Sequence, residues 1–82
     1  MNKFFKVSTL EKNLTNLRKS YVTMTWVEWD ETEVERSGVV CLGKNGRFFL
    51  NCGKDASVFV PADFPADRVT CVRFNQVDHF PK

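Results

Sequence analysis

The chain has 82 residues, and its 12 Lys and Arg against 10 Asp and Glu leave a net charge of +2. That length supports one small domain with a modest core, so residues 1–82 are expected to fold as a unit. The net charge is too slight to imply a nucleic-acid partner by itself. There is no apolar run long enough to cross a bilayer and no secretory h-region, so no membrane association and a cytoplasmic location are expected.

The charge is segregated along the chain. Residues 1–20 carry Lys3, Lys6, Lys12, Arg18 and Lys19 against Glu11, whereas residues 28–35 carry Glu28, Asp30, Glu31, Glu33 and Glu35 with no cation. In the N-terminal part, Phe4 and Phe5 belong to a short strand or arm. Ser8-Thr9-Leu10-Glu11 matches a capping box, in which the Ser8 hydroxyl accepts from the backbone and Glu11 reaches back. Leu10, Leu14, Leu17 and Tyr21 then recur at the spacing of one helical face, predicting a helix from Thr9 to Ser20 packed on a sheet.

From Tyr21 to Trp29 the period changes to two. Val22, Met24 and Trp26 alternate with Tyr21, Thr23, Thr25 and Val27, which predicts a strand. Trp26 and Trp29 fall on opposite faces, so one of them is expected to be partly exposed. Asp30-Glu31-Thr32 makes a turn, and Glu33–Leu42 returns as the second strand. Glu33, Glu35 and Ser37 share the phase of Val39 and Cys41, and a β-bulge near Ser37-Gly38 would reconcile the two ends of that strand.

Gly43-Lys44-Asn45-Gly46 separates the apolar runs Val39–Leu42 and Phe48–Leu50. Asn-Gly between two such runs is a strong hairpin signal, because a tight type I′ turn needs residues that tolerate positive φ. A two-residue Asn45-Gly46 loop pairs Lys44 with Arg47, Leu42 with Phe49, Cys41 with Leu50 and Val39 with Cys52. It places Val39, Cys41, Phe48, Leu50 and Cys52 on a core face, and Val40, Leu42, Arg47, Phe49 and Asn51 on an outer one. A slip of one residue would exchange these faces. Ser57–Val60 predicts a further strand, Pro61–Asp67 a loop with Phe64 tucked in, Arg68–Asn75 the last strand, and Gln76–Lys82 a tail.

The pattern is α+β: an N-terminal helix packed on a five-stranded, strongly bent antiparallel sheet that closes into a small OB-like or SH3-like barrel. Catalytic material is scarce. The single histidine, His79, has no matched nucleophile and base, and the three cysteines Cys41, Cys52 and Cys71 lack metal-ligand spacing. No enzyme, metal or cofactor is expected, and the thiols read as buried and reduced.

Binding of single-stranded RNA or DNA is better supplied, since it needs exposed rings on adjacent strands with cations nearby. Phe49 on one strand and Phe59 on the next would stack on bases, Arg47 would contact phosphate or stack, and Lys44 and Lys54 would add attraction. Asn45-Gly46-Arg47-Phe48-Phe49-Leu50 is similar to the first RNA-binding motif of cold-shock domains, Lys-Gly-Phe-Gly-Phe-Ile. Val58-Phe59-Val60-Pro61 is similar to their second, Val-Phe-Val-His. Over Gly38–Pro61 the chain thus resembles that OB-fold family, with Arg47 in place of the leading Phe, Phe48 in place of the Gly and Pro61 in place of the His. The resemblance implies an OB-like barrel in which Phe49 and Phe59 occupy stacking positions. The alternative is a small inhibitor or adaptor that engages a basic protein partner through Trp29, Glu28, Asp30, Glu31, Glu33 and Glu35.

Overall fold

The first turn of helix is held by the sheet rather than by a polar cap. In the computed structural model, which describes residues 3–53 and 61–81, Phe5 is buried and its N–H donates to the Val69 carbonyl at 2.9 Å. The chain then enters α1 (Val7–Asn16) from an extended Lys6, with no side-chain cap hydrogen bond. The expected capping box at Ser8 is therefore not used: Ser8 lies one residue inside the helix. Anchoring of Phe5 sets the start instead. Leu10 and Leu14 are fully buried beneath α1, with Leu17 packed beside them. The helix ends before Ser20 because Lys19 takes a positive φ of 68° and donates its N–H to the Val40 carbonyl. Tyr21 accordingly belongs to the first strand and stands 66% exposed, off the leucine stripe.

Six antiparallel strands follow: β1 (Tyr21–Val27), β2 (Glu33–Leu42), β3 (Phe48–Asn51), β4 (Pro61–Ala62), β5 (Val69–Phe74) and β6 (Val77–His79). Their order is β4-β3-β2-β1-β5-β6. Helix α1 lies on one side of this sheet. Among the described residues the edge strands β4 and β6 do not pair with each other, so the sheet is open and the expected five-stranded barrel is not formed. One reason lies in β2. Its register with β1 runs unbroken over seven pairs, from Tyr21↔Val39 to Val27↔Glu33. The bulge expected at Ser37-Gly38, which would have bent β2 over the core, is absent. The irregularity falls between Thr25 and Trp26, where β1 meets β5.

The β2–β3 hairpin differs from expectation by one residue. Gly43 N–H donates to the Arg47 carbonyl and Gly46 N–H to the Gly43 carbonyl, with Gly46 at φ 78° and the Asn45 side chain accepting from the Arg47 N–H. This is a three-residue loop with its glycine in the left-handed position, not a two-residue type I′ turn. The observed pairs are Val39↔Asn51, Val40↔Leu50, Cys41↔Phe49 and Leu42↔Phe48. The faces of β3 are as expected, but those of β2 are exchanged. Val40 is buried on the helix side, and Val39 and Cys41 face away from it. The parity conflict in β2 disappears with this register, because Glu33, Glu35, Ser37, Val39 and Cys41 all share the side without the helix.

A two-residue loop of two positive-φ residues does occur, at Asn75-Gln76 (φ 54° and 65°), between the paired Phe74 and Val77. It converts the expected tail into β6. The prolines behave as strand breakers should: Pro61 sits in a two-residue edge strand, where a missing donor is tolerated. Phe64 is tucked in as expected, with its ring 5.9 Å from that of Trp26. The expected strand Ser57–Val60 lies outside the described residues. Among the described residues no helix is long and apolar enough to cross a membrane.

Close approach of β2 to β3 depends on Gly38. A Cβ there would lie 2.7 Å from the Asn51 carbonyl oxygen and 3.0 Å from its carbon, both backbone atoms that cannot swing aside. Gly38→Ala is expected to destabilise the fold by about 1–3 kcal/mol, the usual cost of overpacking, as measured by urea unfolding. A variant as stable as the wild type would show that the strands are not this closely packed.

Candidate functional site

The side of the sheet opposite α1 presents a graded surface. Strand alternation and register place Phe49 beside Cys41, Tyr21 and Asn51 on either side of Val39, and Arg73 beside Thr23, which in turn pairs with Ser37. Further along lie Thr25 with Glu35 and Cys71, then Glu33. One end is therefore aromatic and aliphatic, the middle is hydroxyl-rich and the far end is acidic. Hydroxyls of Thr23 and Ser37 share a 2.7 Å hydrogen bond in the middle.

At the aromatic end the cations come from turns. Arg18 and Lys19 precede Tyr21, and Lys44 and Arg47 flank the β2–β3 loop; all four are exposed. Phe49 is half-buried, with its ring edge against the Gly43 turn, where an added Cβ would lie 3.6 Å from it. Arg47 also borders a groove of about 240 Å³ beneath α1, shared with Glu11 and Phe48, so it stands at the margin between the two layers. Of the residues anticipated for nucleic-acid contact, Arg47, Phe49 and Lys44 are thus gathered at one end of the sheet. Phe59 and Lys54 lie outside the described residues. Tyr21 was missed as a surface ring because it fits the helical spacing of the leucines as well as the strand. Its alternation with buried Val22, Met24 and Trp26 was the signal that it faces outward.

Of the cations further along this side, Arg73 is already engaged, and Lys3 borders the acidic end beside Thr25 and Glu33. Arg73 is bound to Asp78 on the neighbouring strand. Its guanidinium holds the Asp78 carboxyl below the usual aspartate range, chiefly through that hydrogen bond, and is itself raised by it. The three thiols are free and half-buried rather than fully buried. Cys41 and Cys71 lie on the open side, whereas Cys52 packs against the core. Burial pushes the Cys52 and Cys71 thiols up, which keeps them protonated and weakly nucleophilic.

The acidic turn between β1 and β2 is largely committed to the fold. Arg68 donates through Nε to the Val27 carbonyl at 2.8 Å, and its Nη2 lies 3.3 Å from Glu31. The guanidinium is also stacked between the rings of Phe4 and Trp29, at 5.0 and 4.7 Å. Trp26 donates to Glu28, and Asp30 accepts from the Thr32 N–H; hydrogen bonding from the Thr32 side chain, and then from its N–H, lowers the Asp30 pKa. Trp29 is 72% exposed and Trp26 is buried, as the alternation required of one of the pair. Glu33 and Glu35 have no side-chain hydrogen bond or ion pair among the described residues and lie on the open side of β2.

No protein-family model matches this chain, and neither a curated protein nor a solved structure is significantly similar to it.

Removing the Arg68 clamp tests whether this turn is structural. Arg68→Ala should cost about 2 kcal/mol, because the Val27 carbonyl loses a charged donor and two ring contacts disappear. Trp29→Ala should cost less than about 1 kcal/mol, the scale of an exposed cation–π contact. Urea unfolding of both variants checks the order, and equal stability of Arg68→Ala and wild type would contradict it.

Proposed function

We propose that the protein is a binding module, not an enzyme, whose open sheet surface takes up single-stranded RNA or DNA at its Tyr21–Phe49 end. The observation that supports this most is the coincidence of two outward rings with four cations at one end of the sheet, on a side that no described helix covers. Bases stack on aromatic rings irrespective of sequence, while cations follow the phosphates. Tyr21 and Phe49 would stack, and Lys19, Lys44 and Arg47 would neutralise backbone charge. Val39 and Cys41 supply an apolar floor between the rings. The OB-like resemblance motivated Phe49 in this role, but the open sheet supports it without a barrel.

The engagement of Glu28, Asp30 and Glu31 within the fold, and of Trp29 with Arg68, leaves fewer groups for a basic protein partner. That favours the nucleic-acid reading over the adaptor reading.

A labelled oligonucleotide titrated by fluorescence anisotropy tests the proposal. Tyr21→Ala should weaken binding roughly tenfold, within the range of about 1–3 kcal/mol found per stacked base. Lys44→Gln and Arg47→Gln should each flatten the salt dependence by about 0.7 in the log–log slope. Phe49→Leu, which keeps an apolar side chain against Gly43, should weaken binding while the protein stays folded. Absence of binding at low salt would overturn the proposal.

A further inference from the structure

We infer that Glu33 and Glu35 limit the bound strand to about four nucleotides by repelling phosphates from the far half of the same surface, an inference that rests on the binding proposal above. The open side of β2 carries Glu33, Glu35, Ser37, Val39 and Cys41 in one line. With a rise of about 3.4 Å per residue, Glu35 lies roughly 7 Å from Ser37 and about 20 Å from Cys41. Screening at moderate salt extends about 8–10 Å. A phosphate over the Ser37–Thr23 row therefore feels the Glu35 carboxylate, and one over Cys41 does not.

Among the described residues, the cation that register places at the middle of this surface is already paired. Arg73, the cation beside Thr23, is neutralised by Asp78. The accessible path thus runs across the strands, from Phe49 on β3 over β2 to Tyr21 on β1. Two strand spacings of about 4.8 Å and two residues along the strand separate these positions by roughly 12 Å. A stacked strand advances about 3.4 Å per nucleotide. Four nucleotides bridge the rings, near the small end of known single-strand site sizes.

The test compares wild type with Glu33→Gln/Glu35→Gln on homopolymer oligonucleotides of two to twelve residues in about 100 mM salt. Both side chains are exposed and unpaired among the described residues, so the double variant should stay folded. Wild-type affinity should rise with length up to about four nucleotides and then level off. In the variant the rise should continue to about eight. Its octamer should bind three- to sevenfold more tightly than that of wild type, the effect of removing like charges roughly 7 Å away in water. Tetramer affinity should stay within about twofold, since the repelled half is not yet reached. Coincident length profiles, or a wild-type profile that rises smoothly to twelve, would overturn the boundary while leaving the binding proposal standing. Failure of wild type to bind any length would overturn both.

Discussion

The pairing of β2 with β3 is the constraint on which the rest of the molecule depends. It is set by a short loop in which Gly46 takes the left-handed conformation and Gly43 closes the hairpin onto Arg47. One residue more or less in that loop would reverse every side chain of β2 relative to β3. With the observed register, Val40 and Leu50 meet beneath α1 and join Met24, Val22 and Val72 in one core. The residues left on the other side are those that a core could not accept, chiefly Glu33, Glu35 and Ser37. Gly38 permits the strands to come together at the point where β2 would otherwise clash with the Asn51 carbonyl.

From that register follows the polarity of the open surface. Since β2 runs from the acidic turn to the basic loop, its outward residues change from carboxylate through hydroxyl to aliphatic over the length of one strand. Tyr21 and Phe49 join the aliphatic end because β1 begins and β3 passes there. Arg68 secures the opposite end by linking the N-terminal arm, the Val27 carbonyl and the Trp29 turn. The acidic turn is thereby stabilised by a half-buried cation, and the fully exposed cations accumulate elsewhere. Charge separation of this kind steers an anionic ligand to one end of a surface even when net charge is small.

Much of this was legible in the amino-acid sequence, and the remainder was hidden for identifiable reasons. Alternation of Val22, Met24 and Trp26 marked β1, and the leucine spacing marked α1, because both elements have one apolar face. The existence of the β2–β3 hairpin was equally plain, but its register was not. Asn-Gly serves a two-residue loop and a three-residue loop alike, as each needs a glycine at positive φ. Asn75-Gln76 escaped notice because Gln seldom adopts that conformation, so β6 read as a tail. The helix start was misplaced because Ser8 and Glu11 satisfy a local capping rule that the tertiary bond from Phe5 to Val69 overrides. Barrel closure was expected from the number of strands, whereas α1 covers one side of an open sheet. At the candidate site, Arg47, Phe49 and Lys44 were recognisable by residue type, but Tyr21 became visible only once the helix was seen to end before it.

The most direct test of the account is a ¹⁵N-correlated NMR titration of the protein with a short single-stranded oligonucleotide at low salt. Binding at the aromatic end predicts that the amides of Lys19, Tyr21, Val39, Cys41 and Phe49 shift progressively, while those of Trp29, Glu31, Glu33 and Glu35 stay in place. Shifts confined to the Trp29–Glu35 region, or none at any ratio of oligonucleotide, would contradict it.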